Sequence, residues 1–386
     1  MSITSLDENF VASTYGRFPL ELEHGKGALL YGTDGKEYID MGTGIAVNVF
    51  GVCDDEWTRT VKEQLDKLAH TSNLYYTEPC AKLAELLCNK TGMKKVFFSN
   101  SGAEANECAI KVARRYSFQK YGESRSTIVT LKNSFHGRTI TTLAATGQDS
   151  FHTDFMPFTE GFVYADANDT EQVIRLATEH NACAIMFELV QGEGGVMKLN
   201  DSFVLEVAQF CKQNDILLIV DEVQTGNGRT GSLYAYQQFG IIPDIVSTAK
   251  GLGGGLPIGA TILGEKVKDT LTAGSHGSTF GGNPVCCAGA YNIISRIDNE
   301  LLSGVKQRSE YIFNELSKAD GIKSVSGMGL MIGLETDKDA KDVVAACREK
   351  GVLVLTAKTK VRLLPPLNID EELLKKAVEI IKECVK

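Results

Sequence analysis

The sequence predicts an α/β fold built on a mainly parallel β-sheet with helices packed on both faces. Short apolar runs at residues 96–98, 127–130, 184–187, 216–220 and 244–247 have the length of buried strands. Stretches with helical spacing of apolar residues separate several of these runs. This alternation is typical of βαβ units, in which crossover helices cover the parallel strands.

The other elements follow from the same patterns. Asp34 and Gly35 supply the turn of a hairpin at 29–39, because glycine accepts the positive φ that the turn needs. After Gly289 the pattern changes to a smaller α+β unit, with which the hairpin is expected to pack. We therefore expect an N-terminal segment 1–50, a large domain 51–288 and a small domain 289–386. The predicted helices are 54–69, 79–92, 103–121, 203–213, from Gly289 to about Lys318, 340–349 and from Asp370, with further strands at 330–334, 352–355 and 361–364.

Composition and charge exclude several classes of function. The chain has 386 residues and a net charge of −9, so its overall field repels nucleic acids and anionic membranes. The first ten residues do not resemble a signal peptide, and no apolar run is long enough to span a bilayer. The ten cysteines show neither zinc-ligand spacing nor a disulfide framework. We expect a cytoplasmic protein with reduced thiols, no metal, no nucleic-acid partner and no membrane partner.

Lys250 is a candidate catalytic residue. It follows the apolar run 244–247 and precedes a glycine-rich loop at 251–255, with no carboxylate beside it in the sequence. Desolvation disfavours the ammonium form, so such a lysine loses its proton readily and can serve as the nucleophile of Schiff-base chemistry. The alternative is a solvated lysine at the mouth of a flexible loop.

Asp221 is a second candidate, because it follows the apolar run 216–220. Ligands of open α/β sheets bind beyond the carboxyl ends of the strands, so Asp221 and Lys250 are expected at the same edge. A carboxylate that keeps a pyridine nitrogen protonated and a lysine that binds an aldehyde are the two groups that pyridoxal phosphate needs from a protein. Taken alone, an acidic residue after a strand is most often a turn or helix cap, and the pairing with Lys250 at the same edge is what favours a functional role for Asp221.

Two further segments at this edge could complete such a site. Ser101, Gly102 and Ala103 lie between a strand and a helix, where free N–H groups and the helix dipole attract a phosphate. Phe135 could cover one face of a flat cofactor, with Val223 against the other. Arg138 could bind a carboxylate through its planar guanidinium. The alternatives are an ordinary helix cap, a core phenylalanine and a surface arginine.

Two glycine-rich segments resemble nucleotide-binding motifs, but the sequence around them does not match what those motifs require. Residues 226–231 match G-x-G-x-x-G, yet they begin several residues beyond the strand, whereas the dinucleotide motif occupies the strand-to-helix turn. Residues 251–255 are no phosphate-binding P-loop, because no Gly-Lys pair is followed by Ser or Thr.

Six segments of the chain together carry a family resemblance. They are Ser-Gly-Ala-Glu-Ala-Asn at 101–106, Phe-His-Gly-Arg-Thr at 135–139, Gln-Gly-Glu-Gly-Gly-Val at 191–196, Asp-Glu-Val-Gln-Thr-Gly at 221–226, Ala-Lys-Gly-Leu-Gly-Gly-Gly at 249–255 and Ser-Thr-Phe-Gly-Gly-Asn-Pro at 278–284. With them, the sequence resembles the class III (ω-amino) aminotransferases of pyridoxal-phosphate fold type I over nearly its whole length. The resemblance implies a seven-stranded, mainly parallel sheet in the large, cofactor-binding domain. The sequence departs from the family pattern at Leu189-Val190, where Pro-Ile is usual, and at residues 51–53, where Gly-His is common.

The resemblance also implies roles for individual residues. Lys250 would bind the cofactor aldehyde covalently and transfer the proton, and Asp221 would pair with the pyridinium nitrogen. Thr279 would complete the phosphate site of the other subunit, which implies a homodimer with shared active sites. The cofactor-binding set is Ser101, Gly102 and Ala103 at the phosphate, Phe135 stacked on the ring, Gln224 at the ring hydroxyl, and Asp221, Glu222, Val223, Lys250 and Thr279.

The implied substrates are N2-acetylornithine and 2-oxoglutarate, which would give N-acetylglutamate 5-semialdehyde and glutamate, as in arginine biosynthesis. Arg138 and Ser278 would contact acetylornithine. Arg362 would take the α-carboxylate of glutamate, and Glu193 would pair with that arginine while the amino donor is bound. Three alternatives remain: an ω-aminotransferase for ornithine, succinylornithine or 4-aminobutyrate, an aminomutase, or a binding protein on an inactive scaffold. The intact Lys250 and Asp221 argue against the last of these.

Overall fold

The computed structural model describes residues 2–386. The strands are β1 Leu22–Lys26, β2 Leu29–Gly32, β3 Glu37–Asp40, β4 Lys95–Ser99, β5 Thr127–Leu131, β6 Phe162–Ala165, β7 Ala182–Phe187, β8 Val190–Gln191, β9 Met197–Lys198, β10 Leu217–Asp221, β11 Ile245–Thr248, β12 Gly259–Leu263, β13 Ile322–Met328, β14 Met331–Thr336, β15 Val352–Leu353, β16 Leu355–Ala357 and β17 Lys360–Leu363. The helices are α1 Ile3–Phe10, α2 Thr43–Ala46, α3 Asp55–Lys67, α4 Glu78–Thr91, α5 Gly102–Tyr121, α6 Ile140–Ala145, α7 Thr170–Glu179, α8 Asp201–Asn214, α9 Pro284–Arg296, α10 Asn299–Leu316, α11 Ala340–Glu349 and α12 Glu371–Val385.

A seven-stranded sheet of order β4-β12-β11-β10-β7-β5-β6 organises the molecule. β12 runs antiparallel to both of its neighbours, and the other neighbouring strands are parallel. The predicted α/β class with a mainly parallel sheet is therefore confirmed. The parallel strands all point their carboxyl ends toward one edge, which is where the candidate residues were expected.

Both faces of this sheet are buried, as the alternation along β10 demonstrates. Leu217 and Ile219 pack into one apolar cluster together with Ala109 of α5. Leu218 and Val220 pack into another cluster on the opposite face, together with Val207 of α8. Successive side chains of a strand point to opposite faces, so a strand with no polar alternation needs helices on both sides.

The hairpin predicted at 29–39 is formed by β2 and β3. Ile39 and Asp40 of β3 pair in parallel with Val352 and Leu353 of β15, so the N-terminal hairpin shares a sheet with a C-terminal strand. A separate sheet of order β13-β14-β17-β16 forms from the C-terminal region. The division into segments 1–50, 51–288 and 289–386 stays a prediction.

Three sequence-based assignments differ from the structure. The single helix predicted from Gly289 to about Lys318 is two helices, α9 and α10, because Asp298 caps a new helix by accepting a hydrogen bond from Leu301 N at 2.9 Å. The strand predicted at 352–355 is divided between β15 and β16, which belong to different sheets. Two strands of the central sheet, β6 and β12, were not predicted, and the sequence of β12 continues the glycine-rich stretch that follows Lys250.

The segment 226–231, which resembles a dinucleotide motif, connects the loop after β10 to the C-terminal region of the chain. Arg229 is 1% exposed, and its Nη1 donates to the backbone oxygens of Leu330 at 3.1 Å and Pro365 at 2.5 Å. Asn227 Nδ2 donates to Ala249 O, immediately before Lys250, at 3.0 Å. The side chains of Arg229 and Asn227 therefore fasten the loop after β10 to the turn before β14, to the turn after β17 and to the lysine segment.

We expect Arg229→Ala to lower the free energy of unfolding by roughly 3 kcal/mol or more, because two buried carbonyl groups lose a charged donor. Urea titration measures the change. Arg59→Ala is the matched control, since the Arg59 side chain is exposed on α3 and its loss is expected to change stability by no more than about 0.5 kcal/mol. Equal changes in the free energy of unfolding for the two substitutions would contradict a stabilising role of the buried Arg229 hydrogen bonds.

Candidate active site

A cavity of about 450 Å³ lies where the parallel strands of the central sheet end. Its walls come from residues that follow β4, β5, β7, β10 and β11, so one edge of the sheet supplies most of the lining. Lys250 and Asp221, predicted at the same edge, both line it. So do Ser101, Gly102, Ala103, Phe135, Arg138, Val223 and Gln224 from the predicted set.

Lys250 begins a short 3₁₀ turn directly after β11. Its backbone has a φ of 46°, a conformation that costs free energy for a residue other than glycine and that clusters at functional sites. Burial lowers the pKa of the Lys250 amine, although the charges of Glu193 and Asp221 act in the opposite direction. The geometry thus presents an amine with increased neutral, nucleophilic character to the cavity.

The Asp221 carboxylate is buried and bound by three donors. Oδ2 accepts hydrogen bonds from Asn106 Nδ2 at 2.7 Å and from His136 Nδ1 at 2.8 Å, and Oδ1 accepts one from Val223 N at 3.0 Å. An ionised carboxylate offers about four acceptor positions. One position therefore remains for a donor inside the cavity.

The N-terminus of α5 forms another wall. Ser101 caps this helix, its Oγ accepting from Glu104 N at 3.2 Å, and the N–H groups of Gly102 and Ala103 have no intrahelical acceptor. A Cβ at Gly102 would lie 2.7 Å from Val223 Cγ1, so only glycine permits this close approach. Free N–H groups and the positive end of the helix dipole favour a phosphate here.

Phe135 and Arg138 lie in the loop after β5. Phe135 N donates to Glu188 Oε2 at 2.9 Å, which fixes the backbone beside the cavity. Arg138 is exposed, and its Cζ lies 5.7 Å from the ring centroid of Phe135 and 4.2 Å from that of Phe151. The guanidinium is therefore held at the mouth of the cavity by aromatic rings, without a carboxylate partner within residues 2–386.

Arg362 and Glu193 meet beside the cavity, although they come from β17 and from the turn between β8 and β9. Arg362 is 3% exposed, and its Nη1 donates to Glu193 Oε1 at 2.6 Å and to Gln224 Oε1 at 3.2 Å. Burial opposes ionisation of Glu193, but the charge and hydrogen bond of Arg362 outweigh it and lower the pKa of Glu193. Gln224 thus links a buried ion pair to the cavity wall.

Like Arg362 and Glu193, three further predicted site residues lie outside the cavity wall. The Glu222 carboxylate points into the protein, where it accepts from Tyr236 N at 2.8 Å and from Thr225 Oγ1 at 2.5 Å. Thr279 is exposed on the surface of this chain. Ser278 Oγ accepts from Asn100 Nδ2 at 3.2 Å, so it contacts a lining residue.

His136, Asn106 and Glu188 line the cavity but received no role from the sequence. His136 and Asn106 fall within the motifs at 135–139 and 101–106, which was the only available signal. Burial raises the pKa of Glu188 to about 7, and its oxygens accept from Phe135 N and, at 3.4 Å, from Gly192 N. Asn106 and His136 contact Asp221, and Glu188 contacts Phe135, so these hydrogen bonds join residues that are far apart in the sequence.

The family model for class-III aminotransferases matches residues 10–385, and the chain belongs to this family. It is an aminotransferase, and pyridoxal phosphate is the cofactor of its class. Within residues 2–386, no helix combines the length and apolar character needed to cross a membrane.

Similar proteins of known identity agree with this family. The acetylornithine aminotransferase of Haemophilus ducreyi is 52% identical over 99% of this chain and 98% of its own length. The structure of N-acetylornithine aminotransferase from Stenotrophomonas maltophilia K279a matches with a TM-score of 0.86 and 34% identity, covering 99% of this chain and 98% of that one. The ornithine aminotransferase of Toxoplasma gondii ME49 matches with a TM-score of 0.93 and 31% identity, covering 99% of this chain and 94% of that one.

The cavity fits pyridoxal phosphate on four counts of its own chemistry. Asp221 keeps an open acceptor position for a ring nitrogen, and Lys250 presents an amine whose pKa is lowered by burial to an aldehyde. Gly102 and Ala103 provide free N–H groups for a phosphate. Phe135 and Val223 line the same cavity as apolar surfaces for a flat ring.

The buried Glu222 predicts a pH-dependent stability. Burial raises the pKa of Glu222 to about 7, above its value of 4.5 without burial. Below pH 4.5 the acid is protonated in both the folded and unfolded states, and as the pH rises toward 7 the unfolded state ionises first. The contribution of Glu222 to the free energy of unfolding should therefore fall by an amount on the order of 3 kcal/mol across this range.

Glu222→Gln removes the titrating group while keeping an acceptor for Tyr236 N. Urea unfolding of wild type and variant at about pH 5 and about pH 7.5 should show the variant gaining stability relative to wild type at the higher pH. Glu206→Gln, at an exposed position of α8, is the control and should show no such gain. Parallel pH profiles for wild type and Glu222→Gln would contradict the expectation.

Proposed function

We propose that this chain transfers the side-chain amino group of N2-acetylornithine to 2-oxoglutarate, giving N-acetylglutamate 5-semialdehyde and glutamate. The observation that carries the proposal is the buried Arg362, which is neutralised by a more exposed Glu193 beside the cavity. Relatives named acetylornithine aminotransferase, at 40–52% identity over nearly the full chain, support the choice of substrate. A comparison of acetylornithine, ornithine, succinylornithine and 4-aminobutyrate as donors tests it, with acetylornithine expected to react fastest.

Each residue of the site has a distinct role in the proposed reaction. When bound, pyridoxal phosphate supplies the electron sink for the bonds made and broken at the substrate carbon. The Lys250 amine would hold the aldehyde and, once displaced by substrate, would take the proton from the carbon that bears the amino group and deliver it as general acid to the former aldehyde carbon of the cofactor. Asp221 keeps the ring nitrogen protonated, and Gly102 and Ala103 hold the phosphate. Phe135 and Val223 keep the ring between apolar surfaces.

The two substrates place their carboxylates differently. Acetylornithine offers its side-chain amine, whereas glutamate offers its α-amine, so only glutamate brings a carboxylate close to the reacting carbon. We assign Arg138, at the cavity mouth, to the distant carboxylate of either substrate. Arg362 binds the α-carboxylate of glutamate, and Glu193 neutralises Arg362 when acetylornithine presents only methylene groups there. A buried cation without a partner would otherwise be costly.

The role of Lys250 has a spectroscopic test. The purified protein should be yellow, and borohydride should fix the cofactor covalently on Lys250. Lys250→Ala should retain bound cofactor and lose turnover by at least about 10²-fold, because a positioned general base is removed. A protein that stays colourless after incubation with pyridoxal phosphate would contradict the proposal.

The Arg362 assignment predicts unequal losses in the two half-reactions. Arg362→Ala should cost on the order of 2–5 kcal/mol in the half-reaction with glutamate, as expected for one partner of a buried charge pair. That corresponds to a loss of roughly 30-fold or more. The acetylornithine half-reaction should be affected much less. Single-turnover rates, followed by the cofactor absorbance, measure each half separately.

Glu193→Ala supplies the reciprocal control. Without this carboxylate, Gln224 would be the one side-chain partner left to Arg362 among residues 2–386, so reaction with α-amines should improve relative to acetylornithine. Equal losses in both half-reactions for Arg362→Ala would mean that the pair serves folding and not substrate exchange.

We also propose that the enzyme works as a homodimer in which Thr279 contacts the phosphate bound by the other subunit. In this chain Leu74 is 86% exposed and Phe280 is 60% exposed, which is unusual for such apolar side chains. Asn73 Nδ2 donates to the backbone oxygens of Ser278 at 2.9 Å and Gly281 at 2.8 Å, so both segments belong to one surface. A second copy of the chain would cover this surface and bring Thr279 to a cavity.

Subunit mixing tests the shared site. A mixed dimer of Lys250→Ala and Thr279→Ala chains should contain one site with both lesions and one intact site. Activity should therefore recover in part after the two inactive proteins are mixed and re-equilibrated. An active species that sediments as a monomer, or a Thr279→Ala protein with unchanged cofactor affinity, would refute the assignment.

A further inference from the structure

Asn106 is a buried amide in the second turn of α5. It is 1% exposed, and its Nδ2 donates to Asp221 Oδ2 at 2.7 Å and to the backbone oxygen of His136 at 2.8 Å. Both partners are acceptors, so both hydrogens of the amide are used and its orientation is fixed. One side chain thus joins α5, the loop after β5 and the end of β10.

His136 binds the same carboxylate oxygen. Since Asp221 Oδ2 can only accept, His136 Nδ1 carries the hydrogen in their 2.8 Å contact. His136 Nε2 is buried and has no hydrogen-bond partner within residues 2–386. The imidazole ring therefore has one hydrogen bond, to Asp221, and the backbone oxygen of His136 accepts a hydrogen bond from Asn106. Asn106 consequently acts on the carboxylate directly and also through the position of His136.

We propose that Asn106 is a positioning residue for the cofactor's ring nitrogen, fixing Asp221 so that its one open acceptor position faces the cavity. The inference rests on the proposed role of Asp221. A carboxylate rotates easily about its Cβ–Cγ bond, and the 3.0 Å contact from Val223 N constrains only Oδ1. Without Asn106, Oδ2 retains a single donor, His136, whose loop has also lost a hydrogen bond.

The test compares two ligands for the apoenzyme: pyridoxal phosphate and its analogue in which carbon replaces the ring nitrogen. Wild type should bind the nitrogen ligand more tightly, and Asp221→Ala should abolish this preference. Asn106→Ala should reduce the preference by roughly tenfold, the effect of one hydrogen bond to a charged group, while affinity for the carbon analogue changes little. Equilibrium binding measured by fluorescence gives all the constants without any turnover.

Ser117→Ala is the matched control on the same helix. Ser117 is also buried and donates to Arg125 O at 2.6 Å, away from the cavity, so its loss should leave the preference between the two ligands unchanged. If Asn106→Ala does not fold, Asn106→Ser, which keeps one donor, supplies the measurement and should lose part of the preference. Full retention of the preference in the Asn106 variant overturns the proposal. A wild type without any preference, in contrast, overturns the role of Asp221 itself.

Discussion

A carboxylate held by three donors joins the segments that make the cavity. Asp221 ends β10, Asn106 belongs to α5, and His136 follows β5, so one buried charge connects parts of the chain up to 115 residues apart. Burial of an ionised group is costly unless hydrogen bonds compensate for the lost water. If the three segments moved apart, the buried carboxylate would lose hydrogen bonds and the folded state would be destabilised. The three donors occupy three of the four acceptor positions of Asp221 and leave one for the cavity, so the contacts that stabilise the fold also prepare the site.

A second buried charge brings in the C-terminal sheet. Arg362 belongs to β17, contacts the cavity-lining Gln224 and is paired with Glu193, which projects from the turn between β8 and β9. Glu193 is the more exposed of the two side chains, so in the proposed reaction it would be the partner that moves when a substrate carboxylate competes for the arginine. Lys250 lies within the electrostatic influence of Glu193 and Asp221, yet burial still lowers the pKa of its amine. The site thus combines paired charges with a buried amine whose pKa is lowered.

Local patterns predicted most of the central sheet because its strands are apolar on both faces. They did less well where pairing partners decide the outcome. β12 begins with glycine and is a strand because β4 and β11 flank it on both sides. The residues 352–355 read as one strand, but their two halves pair with β3 and β17. The break between α9 and α10 depends on the cap at Asp298, a signal that continuous apolar spacing obscured.

The sequence by itself determined the family, most of the strands that end at the site, and the presence of a lysine, a carboxylate and a helix N-terminus at one edge. These features depend on residue type and on short spacing along the chain. Only the tertiary structure decided that Asp221 points toward the cavity and Glu222 into the protein. It alone brought Asn106 and His136 to Asp221, and Glu193 to Arg362. Hydrogen bonds between distant residues depend on how the whole chain packs, and no local pattern encodes them.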